Sequence, residues 1–382
     1  MAAVSTQTSS GRKLWQKFKR NRLGYWSFII FISLYLFSLA GEILSNDKPL
    51  IIHYENNWYF PLLHNYPETT FGGVFPAYTD YYDPFVKEQL SKGKNFAIYP
   101  PNPYYYDTLN YFSVNTHFPG APSSDHLLGT DTAGYDLAAR LLYGFRISVT
   151  FAFALTLFGT VLGIFIGAVQ GYYAGKIDFF GQRFIEIWNA IPELYLLIIF
   201  ASIFSPSLLL LFVLLSLFSW VTLSDYVRVE FLRNRQLEYV KAARAMGLPP
   251  RLIIWRHILP NSLTPVITFL PFRLSAAIMA LASLDFLGLG VSNTGPSLGN
   301  LMSQGKANLD AWWISLFTFG VLMGTLLLLT FIGEALRNAM DNRTPDPIEK
   351  PTKNTLNITK ESTETKESTK IKESTELTGA PV

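Results

Sequence analysis

The residue types that support catalysis are present in this sequence, but their spacing forms no catalytic motif. A phosphate-binding loop needs G-x4-G-K-[ST], and the Gly-Lys pairs that begin at Gly93, Gly175 and Gly305 lack both the earlier glycine and the later hydroxyl residue. The five histidines show no HExxH motif, and no G-x-S-x-G motif occurs. The sequence therefore predicts a chain that is not an enzyme and holds no metal or cofactor.

Two charged residues inside or beside apolar segments are the other candidates for chemistry. Arg273 and Asp285 lie on either side of a series of small residues that includes Ala276 and Ala280. A charge in hydrocarbon is costly and must face protein or water, so both residues are candidates for a pore or an intramembrane charge site. The alternative for Arg273 is that it lies near a cytoplasmic helix end and extends its head group to water.

The composition predicts a membrane protein. Of the 382 residues, 49% are hydrophobic and only 15% are charged, whereas soluble proteins have about 25% charged residues. The formal net charge of +3 is too small to indicate nucleic-acid binding, and the absence of cysteine excludes disulfides. We expect the chain to contact membrane lipid and not nucleic acid.

Six apolar segments are long enough to cross a hydrocarbon core of about 30 Å. They predict an all-α integral membrane protein with a transmembrane domain over 147–338, and the six predicted spans are 25–45, 147–173, 188–204, 208–227, 264–287 and 312–336. Basic residues cluster in 1–24, 174–187, 228–263 and after 337. The positive-inside rule therefore places both termini and these loops in the cytoplasm.

Two segments lie outside the predicted spans. Residues 46–146 form an aromatic-rich and proline-rich extracytoplasmic insert between the first two spans, and Asp131 to Ile147 has the spacing of an interfacial helix. Residues 345–382 repeat KEST and contain few apolar residues, which predicts a disordered cytoplasmic tail.

The second span carries a glycine every fourth residue. This spacing gathers the glycines on one helix face and predicts a seam where another helix approaches closely: Gly159, Gly163, Gly167, Gly171 and Gly175. The seam could serve packing within the chain, which we favour, or contact with another subunit.

The loop over residues 238–260, here named the coupling loop, carries a docking motif. Tyr239, Ala242, Ala243 and Met246 share one small apolar face of a short helix, which Gly247 ends with a positive φ. A second amphipathic piece begins after Pro250, and Pro260 is expected to close it. Seven Lys or Arg residues lie between positions 228 and 256, so the loop is expected to present a docking face to a cytoplasmic partner.

The coupling loop resembles the EAA loop of permease subunits of ATP-binding-cassette (ABC) importers. Lys241 departs from the pattern, because it stands where the loop usually has Glu. The residues that carry or flank the resemblance are Glu238, Lys241, Ala242, Ala243, Gly247, Ile258, Leu259 and Pro260. The stretches HLLGTD, LLYGFRIS, SLDFLGLGV and SLGNLMSQG are similar to C-type permeases for dipeptides and oligopeptides, and the insert resembles the Yej-type subgroup associated with microcin C uptake.

The resemblance implies a type I ABC importer permease fold and translocation of peptides across the bacterial inner membrane. It also implies a second homologous permease, two ATP-binding subunits that contact the coupling loop, and a periplasmic peptide-binding protein. ATP would then be bound by the partner subunits.

Two other classes of membrane protein remain open from the residues alone. An ion-coupled secondary transporter would need inverted repeats and ionisable residues at the membrane midplane, and we find neither pattern. A membrane-anchored binding or assembly protein would use the insert for binding and the spans only as an anchor.

Overall fold

The computed structural model describes residues 10–109, 117–290 and 295–340. The predicted tail at 345–382 lies outside these residues. Within the described ranges the chain is mostly helical, and its α-helices are α1 Ser10–Arg20, α2 Arg22–Leu39, α3 Gly41–Leu44, α4 Pro84–Ser91, α5 Leu137–Tyr173, α6 Gly175–Asn189, α7 Glu193–Ile203, α8 Leu208–Ser219, α9 Val221–Asn234, α10 Glu238–Ala245, α11 Pro250–Leu252, α12 Leu259–Phe286, α13 Leu298–Ala307 and α14 Trp312–Met340.

Five helical segments of the described chain are long and apolar enough to cross a membrane. They are Arg22–Leu39, Leu137–Tyr173, Leu208–Asn234, Pro250–Phe286 and Trp312–Met340. The pair α6 and α7, bent by 60° at its break, supplies a sixth if it is taken as one span. The predicted fold class of a helical membrane protein is thus confirmed.

The helix bounds differ from the predicted spans in several places, of which two concern α5 and α6. The predicted interfacial helix and second span form one continuous helix, α5. Residues 174–187, predicted to be a loop, are mostly helical in α6. Helix α6 mixes polar and apolar residues, so it lacks the continuous apolar run that predicts a span. Pro192 separates α6 from α7 because it lacks an N–H and disfavours helical geometry in the residue before it.

The insert contains a small antiparallel sheet that the sequence pattern did not reveal. Its strands β1 Ile51–Tyr54, β2 Asn57–Tyr59 and β3 Phe96–Ile98 lie in the order β2-β1-β3. The side chain of Phe71 is fully buried and packs edge-on against a ring of tyrosines: Tyr54, Tyr59, Tyr66 and Tyr81. Aromatic packing thus surrounds a sheet in which two strands have only three residues each.

The first span packs along the last one. A Cβ added at Gly24 in α2 would lie 2.0 Å from the Cβ of Ala335 in α14, so the two helices approach closely there. The central apolar core is built mainly by α5, α8, α12 and α14, with fully buried side chains such as Ile278 and Leu329. Close packing of this kind holds helices together in lipid, where water provides no driving force between them.

Candidate functional site

The first half of the coupling loop is the helix α10, and of its two adjacent alanines one is exposed and the other buried. Ala243 is 1% exposed and packs with Val240, Ile253 and Ile258 in a cluster formed largely by the loop itself and its flanking helices. Ala242 is exposed, as is Met246. The expectation that Ala243 lies on an open docking face is therefore wrong: helical spacing placed the two alanines on one face, but the edge of that face turns inward.

The polar side of α10 is solvated. Lys241 Nζ lies 2.8 Å from a carboxylate oxygen of Glu238, and both side chains are well exposed. Such a surface ion pair contributes at most about 1 kcal/mol. The remaining surface of α10, which includes Tyr239, Ala242 and Met246, is the part available to a partner.

Gly247 ends α10 in the conformation that the sequence predicted. Its φ is +75°, and its N–H donates to the carbonyl of Arg244 at 2.9 Å. The next N–H, of Leu248, donates to the carbonyl of Ala243 at 3.2 Å. This pair of bonds is a Schellman motif, in which a left-handed residue allows the last carbonyls of the helix to be satisfied.

The second half of the coupling loop runs directly into the transmembrane helix α12. A π-helical segment, Ile253–Ile258, joins α11 to α12, and Pro260 lies in the first turn of α12. Pro260 therefore does not close the second piece as expected, because the helical segment Pro250–Phe286 continues through it directly after the π-helical turn. Ile258 is fully buried and Leu259 partly buried at this junction.

Side-chain contacts tie the base of the loop to the membrane helices. Asn234 Nδ2 donates to Ser262 Oγ at 2.9 Å, joining the end of α9 to α12. Arg235 donates to the carbonyl of Tyr172 at 3.1 Å, and the guanidinium of Arg244 lies 5.0 Å from the ring centroid of the same tyrosine. A displacement of the loop would therefore be transmitted to α5, α9 and α12.

The glycine seam of α5 faces α9. A Cβ added at Gly163, Gly167 or Gly171 would lie only 2.9, 2.4 or 2.6 Å from the nearest backbone oxygen of the facing chain. Gly159 continues this face, where an added Cβ would come 2.5 Å from Ser219 Oγ. Real side chains do not tolerate such distances, so these four positions require glycine for helix contact within the chain.

Gly175 does not belong to this seam. Helix α5 ends at Tyr173, and Gly175 begins α6 with a φ of +58° and open space around its Cα. The four-residue spacing continued past the end of the helix by coincidence, and the glycine is needed there for its left-handed conformation.

Arg273 and Asp285 occupy separate environments. Arg273 Nη2 donates to the carbonyl of Ser219 at 2.6 Å, where α8 gives way to α9. Asp285 is 6% exposed and accepts a hydrogen bond of 2.5 Å from Ser297 Oγ, which also caps α13. Twelve residues of helix correspond to about 18 Å, so the structure does not bring the two charges together.

Sequence reasoning missed a buried polar network where the insert meets α5. Asp136 caps α5 by accepting from Ala139 N at 2.8 Å, and its other oxygen lies 2.9 Å from His126 Nδ1. Arg140 and Asp131 form an ion pair of 3.2 Å with both side chains at most 1% exposed. The sequence did contain a signal for this network, because the predicted interfacial helix carries three charged residues, Asp131, Asp136 and Arg140.

Tyrosines dominate the polar chemistry of the insert. Burial raises the pKa of Tyr99 to about 12 and that of Tyr105 to about 12. Burial also raises the pKa of Asp47. The hydrogen bond of 3.1 Å that Thr108 donates to its carboxylate acts in the opposite direction and has a smaller effect on the pKa. These phenols stay protonated at neutral pH and act through packing and hydrogen bonds.

Comparisons with known proteins agree with the motifs. Residues 159–344 match the family described as "Binding-protein-dependent transport system inner membrane component", and residues 9–66 match the "N-terminal TM domain of oligopeptide transport permease C". The chain is 47% identical over 327 residues to the inner membrane ABC transporter permease protein YejE of Escherichia coli (strain K12), covering 86% of this chain and 95% of that protein.

Two further relatives extend the comparison. The chain is 43% identical over 356 residues to the peptidoglycan transport system permease protein YejE of Agrobacterium fabrum, covering 87% of this chain and 93% of that protein. It is 35% identical over 217 residues to the oligopeptide transport system permease protein OppC of Haemophilus influenzae, covering 56% of this chain and 70% of that protein.

The similarity to both YejE proteins extends over nearly their whole length. Such permeases are multi-pass proteins of the bacterial inner membrane, they are not enzymes, and they work with ATPase and binding-protein partners. The chain therefore belongs to the family of binding-protein-dependent inner membrane permeases of ABC transporters, in agreement with its resemblance to the Yej-type peptide permeases.

Proposed function

We propose that this permease moves peptides across the inner membrane as one of two homologous permease subunits, with two ATP-binding subunits and a periplasmic peptide-binding protein. The observation that carries the proposal is the 47% identity to one YejE permease over 95% of its length. The name of the Agrobacterium relative suggests peptides derived from peptidoglycan, and the OppC relative suggests oligopeptides.

The exposed face of α10 is the proposed contact for an ATPase. Ala242 and Met246 are exposed there, whereas the buried Ala243 holds α10 against the rest of the loop. The loop continues into α12 without a break at Pro260, and hydrogen bonds join its base to α5 and α9. Closure of the ATPases would then move these helices together as a rigid body. This movement would open the translocation pathway alternately to the two sides of the membrane.

The proposed topology follows from the distribution of basic residues. The amino terminus, the coupling loop and the tail at 345–382 lie in the cytoplasm, and the insert at 46–146 faces the periplasm, where it can meet the binding protein. Arg273 lies beside the pathway in this proposal. Asp285, which is bonded to Ser297, fastens the outer end of α12 to α13.

Affinity purification of the chain in mild detergent, followed by identification of stoichiometric partners, tests this assembly. We expect one second permease and two copies of ATPase subunits for each copy of this chain. Recovery of the chain alone or as a homodimer without ATPases, from membranes that contain all candidate partners, would contradict the proposal.

A further inference from the structure

A mostly apolar cavity with a few polar groups lies among the membrane helices beside Arg273. Its volume is about 230 Å³, and it opens between α5, α7, α8 and α12. Three of its lining residues are small alanines of α12, which leave room beside the charged groups, and its polar lining consists of Thr156, Glu193, Ser219 and Arg273.

Two polar atoms of this lining are buried without a partner. Thr156 is 3% exposed, and its hydroxyl makes no hydrogen bond, although Thr150 in the same helix donates to the carbonyl four residues earlier. The Nε of Arg273 is also buried and unbonded, while its Nη2 donates to Ser219. Buried donors without acceptors cost free energy, and these two line a cavity in which a ligand has room to supply the acceptor.

A carboxylate on α7 lines the same cavity. Among the described residues, no basic side chain forms an ion pair with Glu193, and no acidic side chain forms one with Arg273. The cavity thus presents one cation and one anion that do not neutralise each other. An intramembrane charge of this kind faces a substrate pathway more often than lipid.

We propose that this cavity binds the charged ends of a short peptide during translocation. The end of the peptide that enters the cavity decides the contact: Arg273 and Thr156 donate to a terminal carboxylate, and Glu193 accepts from a terminal ammonium group. The proposal rests on the function proposed above and adds to it that the permease itself, and not only the binding protein, reads the free termini of its substrate. The volume suits a terminal group and not a long chain, because pockets for drug-sized ligands begin at about 300 Å³.

The test uses the complete complex in proteoliposomes and compares three pools of short randomised peptides. One pool has both termini free, one is amidated at its carboxyl ends, and one is acetylated at its amino ends. The affinity of the binding protein for each pool is measured separately, and uptake is compared at saturating loaded binding protein. Wild type is expected to import the free pool fastest.

Thr156→Val is the decisive variant because it removes the hydroxyl and no hydrogen bond of the structure. A hydrogen bond to a charged group contributes enough for about a tenfold effect, so the preference for free over amidated ends should fall about tenfold. Thr160→Val is the matched control, since Thr160 is also a buried and unbonded threonine of α5 but does not line the cavity. Glu193→Gln should reduce only the preference for free amino ends.

The possible results separate this proposal from the proposed function. If wild type imports no pool, the peptide-import function fails. If wild type imports all three pools equally, or if Thr156→Val and Thr160→Val change the preference equally, the cavity does not bind the termini and only this inference is overturned.

Discussion

At the scale of single residues, two adjacent alanines of the coupling loop have different roles. Ala242 is exposed, whereas Ala243 is 1% exposed and packs against Ile253 and Ile258. A charge at Ala242 would disturb only a bound partner. A charge at Ala243 would be buried without a counter-ion, which strongly destabilises the loop.

We therefore expect Ala242→Glu to keep normal membrane abundance and normal resistance of the loop to protease while it loses ATPase copurification. Ala243→Glu should instead make the coupling loop sensitive to protease. Lys241→Ala serves as a control and should change neither property, because its ion pair with Glu238 is exposed. Equal protease resistance of the two glutamate variants would contradict the assignment of a buried Ala243.

The φ of Gly247 gives a second prediction. Its Cα is surrounded by open space, so a larger side chain meets no atom there, but a β-branched residue resists a φ of +75°. Gly247→Val should destabilise the end of α10 by roughly 1–2 kcal/mol. Hydrogen exchange of the Gly247 and Leu248 amides should accelerate in the valine variant, and Gly247→Asn should show a much smaller change.

At the scale of the elements, the contact between α5 and α9 depends on three glycines, Gly163, Gly167 and Gly171. Gly167→Leu places a side chain where the Ser224 carbonyl oxygen already lies 2.4 Å from an ideal Cβ. We expect the overpacking to lower the stability of the folded chain by about 1–3 kcal/mol. Assembly of the complex should fall as a result. Phe165→Leu is the matched control, because Phe165 is 65% exposed in this chain, and equal assembly of both variants would disprove the role of the seam.

The sequence was informative where a pattern is local. A glycine every fourth residue specifies a helix face, and the Gly247-Leu248-Pro249 series specifies a helix end, so both features could be predicted. The inward direction of Ala243 could not, because helical spacing tells which residues share a face but not what that face meets. The sheet of the insert was missed since strands of three and four residues give too short a period to detect.

Helix α6 illustrates the same limit at the scale of an element. Lys176 and Arg183 made residues 174–187 resemble a short basic loop. In the structure, Asp178 pairs with Arg228 of α9, and Gln182 donates to Gln170 of α5 at 2.9 Å. Asp178 and Gln182 are thus satisfied by other helices, and a local sequence pattern contains no information about such distant partners.

At the scale of the whole molecule, the proposed topology can be tested by cysteine labelling because the chain contains no cysteine. Lys241 in the coupling loop and Leu63 in the insert are both well exposed. In intact cells, an impermeant thiol reagent applied to the periplasmic side should label Leu63→Cys and not Lys241→Cys. The reverse pattern would invert the proposed orientation.

ATP-driven peptide uptake by the purified complex in proteoliposomes tests the central claim most directly. The wild-type complex with loaded binding protein should accumulate peptide only when ATP is present on the side of the coupling loop. Ala242→Glu should abolish this uptake although the chain remains folded in the membrane. Undiminished uptake by Ala242→Glu, or uptake driven by an ion gradient without the ATPase subunits, would contradict the account.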